Sequence, residues 1–390
     1  MTATTPAVGS TAVAGRPSGA PPAGAARLAA LAGGHAADAD RRRRLSSAVV
    51  DELLATGFAR HLVPARWGGT AGTFADLLTA VTLVGEGCAA TAWNAAVLAI
   101  VGRMTAHLPA EGQHDIWNAS PDVPLAGSIP PAGRVEAVPG GWRLSGQWGF
   151  ATGVDYAQWT MLGALAPAAD RPEYRFFLLP RPDYRVVDTW FTVGLRGTGS
   201  RSVAVDDAFV PAHRSFSHKA LMAGTGTGSD ARCHRVPFKL VNGITFAAPV
   251  LGTSRAALRH WTARMAAKTD VGGGRARDSA VVQQALARSA GEVDAAQLLL
   301  ERAAAVADAG AWGDAEQVRS PRDFAIATEL LADAVDRLFR VGGVRGQHEN
   351  DPVQRAWRDV NSAAGHVVLQ FGPPAGAFAA HLLDGESRNG

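Results

Sequence analysis

His366 is the residue of this sequence best suited to acid–base chemistry. An imidazole titrates near neutrality and can take up a proton or hold out an N–H. A helix read across Pro352–Gln370 puts His366 on one face with Asp359, Ser362 and Leu369. The competing reading is a core histidine whose polar atoms are satisfied inside a bundle, with Arg355, Arg358 and Asp359 forming the charged side of the helix. A second candidate is Gly141–Thr152, G-W-R-L-S-G-Q-W-G-F-A-T, where Trp142, Leu144, Gly146, Trp148 and Phe150 alternate as a strand requires. Two tryptophans, a phenylalanine and the terminal hydroxyl of Thr152 can form one wall of a flat aromatic pocket, or simply a packed sheet strand. A third is Gly194–Ser200, G-L-R-G-T-G-S, whose glycines permit close backbone approach. Arg196 within it either meets an anion or marks a surface turn.

Other chemistries lack their signatures. Cys88 lies in an apolar stretch where an inert thiol is expected, and Cys88 and Cys233 are the two cysteines of the chain, too few for a disulfide framework. There is no G-x-S-x-G elbow, no H-E-x-x-H and no comparable metal pattern. Ala223–Asp230, A-G-T-G-T-G-S-D, is rich in glycine but lacks the lysine of a phosphate loop and follows no parallel strand, so it reads as a link. No dinucleotide fingerprint appears. A net charge of +3 argues against nucleic acid as a partner, and the Arg41–Arg44 run reads as a helix flank. The N-terminus does not read as a secretory signal, and no apolar run is long enough to span a bilayer. The expected compartment is the cytoplasm, with no membrane association.

These groups must be positioned by three kinds of segment. Residues 1–24 are small and polar and read as a disordered tail. Residues 25–120 read as helical, with Ser46 as an N-cap and Cys88–Gly102 apolar nearly all round and hence interior. Residues 121–216 form a β domain, with runs at Trp142–Phe150, Trp159–Leu165, Tyr174–Leu179, Val186–Phe191 and Ser202–Val210, and Ala126-Gly127-Ser128 as a polar loop before them. Residues 217–235 link to a helical bundle at 236–390, in which Gln283–Ala307 and Phe324–Val341 are long and amphipathic and Gly342-Gly343 ends the second. The expected class is mostly α with an inserted β domain.

Six stretches in this order resemble one family: L-S-S-A-V-V-D-E-L-L-A-T-G-F-A, C-A-A-T-A-W-N, A-G-S, G-W-R-L-S-G-Q-W-G-F-A-T-G, G-L-R-G-T-G-S and Q-R-A-W-R-D-V-N-S-A-A-G-H. From about residue 25 to the end, the chain resembles the oxygenase components of two-component flavin-dependent monooxygenases, most closely those that hydroxylate aromatic polyketides in antibiotic pathways such as actinorhodin biosynthesis. The resemblance implies the acyl-CoA dehydrogenase-like fold: N-terminal helices, a middle β domain and a C-terminal four-helix bundle, assembled as a homotetramer. It places Trp93 and Ser128 along the isoalloxazine and Thr152 at flavin N5. Arg264 and the Gly342-Gly343 turn approach the flavin from the bundle, and His366 takes the catalytic position. Phe58, Asn361 and Phe371 are the implied substrate contacts. Close relatives often carry His where Asn361 stands. The catalytic Glu of acyl-CoA dehydrogenases is replaced by A-A-G-H, against thioester α-proton abstraction and for oxygenation.

The implied cofactors are reduced FMN, with FAD as the alternative, and O2. The implied partner is a separate NAD(P)H-dependent flavin reductase. The implied chemistry is hydroxylation of an aromatic polyketide through a C4a-hydroperoxyflavin, with Thr152 at N5 and His366 activating a phenol or holding the peroxide. Two other functions compete: N-oxygenation of an amine or amino sugar, whose pocket would carry more carboxylates and amides, and a non-catalytic flavin-binding scaffold.

Overall fold

The computed structural model describes residues 24–269 and 272–389; the tail expected at residues 1–24 falls almost wholly outside them. The chain begins with α1 (Ala25–Arg42), α2 (Ser47–Ala55), α3 (Phe74–Gly85), α4 (Ala89–Thr105) and α5 (Ala110–Trp117). Every residue of α4 is buried, as its all-round apolarity predicts. Helix α3 is capped twice. Thr73 accepts from the Asp76 amide, and the carboxylate of the distant Asp308 accepts from the amides of Phe74 and Ala75 at 2.8 and 2.9 Å.

Next come β1 (Leu125–Ser128), β2 (Arg134–Val138), β3 (Gly141–Ala151), β4 (Trp159–Ala166), β5 (Glu173–Pro180), β6 (Arg185–Val187), β7 (Arg201–Pro211) and β8 (Ser215–Ser217). They form two four-stranded sheets, in the orders β1-β4-β5-β8 and β2-β3-β7-β6. Leu144, Trp148 and Val203 of one sheet bury against Leu162 and Phe177 of the other. The Trp148 indole N–H crosses between sheets to the Gly163 carbonyl at 2.7 Å. Two readings are corrected here. Ala126-Gly127-Ser128 is not a loop but most of β1, which pairs in parallel with Trp159–Leu162 of β4; a Cβ at Gly127 would press on Met161 and Val101. The run expected across Val186–Phe191 ends as a strand at Val187.

After α6 (His218–Ala223) and α7 (Arg232–Arg235) the bundle is built from α8 (Asn242–Ala267), α9 (Ala280–Ala309), α10 (Asp314–Val341) and α11 (Pro352–Ala364), followed by α12 (Gly372–Asn389). One continuous apolar core runs from α3 and α4 into α8, α9 and α10. The helix expected to run through Gln370 stops at Ala364: Gly365 follows as its cap, and Val367–Leu369 make a single 3-10 turn. His366 therefore lies in a loop and shares no helical face with Asp359 and Ser362. Helix α12, not anticipated from the sequence, packs on α10.

Helices α3 and α8 cross where Gly85 meets Gly252. A Cβ on Gly252 would lie 2.0 Å from the Thr82 carbonyl oxygen and 2.8 Å from the Gly85 Cα, so the two backbones touch. Gly252→Ala is expected to cost about 3 kcal/mol by overpacking. Gly291→Ala, in α9 with open space around its Cβ, should instead stabilise by roughly 0.5–1 kcal/mol. Urea midpoints of the two variants check the pair; a Gly252 variant as stable as the parent would mean the crossing is looser than this.

Candidate active site

Three rings meet where α4, the start of α8 and the loop after α11 converge. The His366 imidazole stacks on Phe246 with centroids 3.9 Å apart and an interplanar angle of 27°. Trp93 meets His366 edge-on at 5.8 Å and Phe246 at 5.0 Å. Burial is the sole cause that pulls the imidazole down, to about 4, so the ring is neutral at pH 7. The amide of Val368 donates to Nδ1 at 3.3 Å. With Nδ1 accepting, the neutral ring carries its proton on Nε2 and presents a donor.

A second group lies at the end of β3. Thr152 Oγ1 is 2.8 Å from Ser200 Oγ, which is 2.8 Å from Thr198 Oγ1. Ser128 donates to the Gly149 carbonyl at 2.7 Å, fixing β1 against this end of β3. The two groups are joined through α4: Asn94, next to Trp93, donates to the Thr198 carbonyl and accepts from the Tyr156 hydroxyl at 2.8 Å. Phe150, between Gly149 and Thr152, has φ +62° and is 70 % exposed, a large aromatic held outward at a break in the β3–β7 register. The Gly194–Ser200 loop seats on α11 so closely that a Cβ at Gly194 would lie 2.1 Å from the Arg358 carbonyl oxygen. Leu195 N–H donates to the buried Asp359 carboxylate at 2.6 Å, and burial raises that carboxyl to about 6. Arg196 is engaged with the carbonyls of Asp40 and Thr192, and Arg358 with the Asp40 carboxylate.

A third group stands apart. Arg264 pairs with Asp351 and packs against the Gly342-Gly343 turn, where a Cβ at Gly342 would lie 2.6 Å from Nη2. Its Nε and Nη2 are buried with no hydrogen-bond partner among the described residues. Phe246 and Arg264 stand 18 residues apart on α8, about 27 Å along the axis. The remaining candidates are not drawn in. Phe58 is completely buried in the N-terminal core. Asn361 is exposed and donates to the Trp357 carbonyl. Phe371 is 38 % exposed where α12 begins.

On this bundle with its two-sheet insert, the buried Trp93–Phe246 wall and the hydroxyls beside it suit a flat ring, and the spare donors of Arg264, further along α8, suit an anionic group. The family model for the acyl-CoA dehydrogenase C-terminal domain matches residues 244–371. The chain is 32% identical over 341 residues to the flavin-dependent monooxygenase oxygenase subunit HsaA of Rhodococcus jostii (strain RHA1), covering 84% of this chain and 88% of that one. It is 33% identical over 352 residues to the oxygenase component of the FADH(2)-dependent resorcinol hydroxylase of Rhizobium sp. (strain MTP-10005), covering 85% and 86%. The structure of XiaF from Streptomyces sp., solved with FADH2 and glycerol, superposes with a TM-score of 0.86 at 28% identity over 93% of this chain and 95% of that one. The chain belongs to the two-component flavin-dependent monooxygenases as an oxygenase component, on the acyl-CoA dehydrogenase-like fold. It is an enzyme that uses reduced flavin and O2.

Phe246, Ser200 and Thr198 are residues the sequence does not single out as site members, whereas Phe150 stands in the aromatic wall that β3 offers. Phe246 sits in an apolar helix, and the two hydroxyls lie in a loop that reads as a turn. Phe150 carried a signal, the alternation of β3, but not its outward turn.

Proposed function

We propose that the chain hydroxylates a phenolic aromatic substrate of polyketide type, in the cytoplasm, with reduced flavin delivered by a separate NAD(P)H-dependent reductase. The observation that carries this is the Trp93–Phe246–His366 wall, in which burial, with no charged group among the described residues acting on the ring, holds the histidine neutral. An amine or amino sugar would call for a carboxylate at this wall. Curated relatives support an aromatic substrate: a resorcinol hydroxylase, a p-hydroxyphenylacetate 3-hydroxylase and a pigment production hydroxylase.

Bound reduced flavin supplies the activated oxygen. The protein's part is to orient and exclude. Trp93 and Phe246, both buried, would pack against a bound flavin and help keep water out, and the outward-held Phe150 would be covered by it. Thr152 would meet the ring edge, Ser128 would line the ring while it fixes β1 against β3, and His366 would offer its Nε2–H to the oxygen or the phenol. Arg264 and the Gly342-Gly343 turn would serve the flavin of a neighbouring subunit, since about 27 Å of α8 separates them from Phe246. Leu298 and Leu382, exposed on α9 and α12, support assembly into the homotetramer.

The test supplies reduced FMN or reduced FAD with a panel of phenolic polyketides and seeks a product one oxygen heavier by mass spectrometry. Flavin oxidation that yields only hydrogen peroxide across the phenols, with an amino sugar oxygenated instead, overturns the substrate class. The protein is also expected to purify nearly colourless and to bind reduced flavin more tightly than oxidised. Isolation with stoichiometric oxidised flavin that NADH reduces directly would contradict the two-component reading.

A further inference from the structure

Thr152, Ser200 and Thr198 are 6 %, 4 % and 2 % exposed, so water does not compete for their hydroxyls. Each hydroxyl has one proton to donate and two lone pairs to accept with. Thr198 Oγ1 lies 2.9 Å from the Leu195 carbonyl oxygen, which can only accept, so the Thr198 proton is committed there. The 2.8 Å contact between Ser200 and Thr198 is then made by the Ser200 proton, and the 2.8 Å contact between Thr152 and Ser200 by the Thr152 proton. The order is fixed from the carbonyl outward, and Thr152 is left with lone pairs alone. The terminus of the relay is itself held. Leu195 has φ +51°, its N–H is bonded to Asp359, and its carbonyl also accepts from the Trp190 indole at 3.1 Å.

We propose that Ser200 and Thr198 are positioning residues that set Thr152 as a hydrogen-bond acceptor, so that this site selects reduced over oxidised flavin. Reduced flavin carries a hydrogen on N5 and can donate to Thr152; oxidised flavin presents a lone pair there, and the two acceptors repel. The inference rests on the reading above that Thr152 faces N5. It adds that the preference for the reduced ring is enforced two residues further back.

The experiment is anaerobic titration of the full-length protein with reduced and with oxidised FMN, alongside thermal unfolding. In Ser200→Ala, and independently in Thr198→Val, the Thr152 hydroxyl is free to turn outward. Oxidised FMN should then bind more tightly while reduced FMN is little changed. The ratio of the two dissociation constants should fall about tenfold, equal to about 30 mV in the two-electron potential of the bound flavin. Ser200→Thr keeps the hydroxyl and should restore the parent ratio. Thr152→Ala should behave differently, weakening reduced FMN several-fold and tightening oxidised FMN less than Ser200→Ala does, since the repulsion goes but no donor takes its place. If Thr152→Ala leaves both affinities unchanged, flavin does not lie against Thr152 and the placement falls. Should Thr152→Ala act as expected while Ser200→Ala and Thr198→Val keep the parent ratio, the placement stands and the relay is overturned. Equal weakening of both redox forms in those two variants also overturns it, since that is the mark of a merely structural role.

Discussion

His366→Ala should lower the coupling of oxygen to product about a hundredfold, the usual scale for one positioned proton-handling group, while flavin is still oxidised near the parent rate. The remainder of the oxygen should appear as hydrogen peroxide. The geometry makes the role more specific than general acid–base work. Phe246 stacks on the ring and Trp93 abuts it, so its plane is fixed, and the Val368 amide holds Nδ1 as an acceptor. A neutral Nε2–H donor is what remains. His366→Asn, which keeps a donor without a titrating group, should therefore recover much of the lost coupling. Because burial holds the imidazole to about 4, coupling should be flat from pH 6 to 8 and fall only as the ring gains a charge near pH 4. Single-turnover product yield across that range decides it. A limb between pH 6 and 8 that disappears in the alanine variant would make His366 a base instead of a donor. Parent coupling in both variants, with stability lowered by roughly 1–3 kcal/mol, would leave it a packing residue.

What the sequence could disclose here follows the range of the interactions involved. Strand β3 and the interior helix α4 are legible because alternation and all-round apolarity are local patterns that burial enforces directly. His366 is legible as a chemical residue but not in its setting. The helix that appears to carry it ends at Gly365, and the ring takes its orientation from Phe246, 120 residues away. Asp359 is a surface charge by helical periodicity, yet the chain buries it against Leu195 N–H, a partner that only the docking of the β domain supplies. Ser200 and Thr198 give no local sign, since hydroxyls among glycines read as a turn. Their role depends on a carbonyl and on Thr152, brought together across the loop. Phe58, a substrate contact by the family resemblance alone, is completely buried in the N-terminal core.

The same long-range logic makes the protein labile to acid. The connection between the sheets and the bundle is held by buried basic groups on backbone carbonyls. His107 lies 3.0 Å from the Thr225 carbonyl oxygen, His234 2.7 Å from that of Leu62, and Arg103 holds those of Cys233 and Val236. Burial, and then the Arg103 charge, pull His107 to about 3; burial first, with Arg103 and Arg66 adding to it, pulls His234 to about 4. Both start from 6.5 in the unfolded chain. Between those limits the unfolded state binds more protons than the folded one, so stability is fully present above pH 6.5 and is lost as pH falls. By pH 5 each histidine should have cost about 2 kcal/mol. Asp359, raised to about 6, works the other way and returns about 1 kcal/mol over the same interval. The expected net loss from these three groups between pH 7 and pH 5 is about 3 kcal/mol. His107→Phe keeps a ring against Phe216 but cannot take a proton. It should lower stability at pH 7 by about 1 kcal/mol for the lost hydrogen bond and remove about 2 kcal/mol of the acid decline. Urea unfolding of parent and variant at pH 5, 6 and 7 measures both. Parallel declines in the two proteins would show that the acid limb originates elsewhere than at His107.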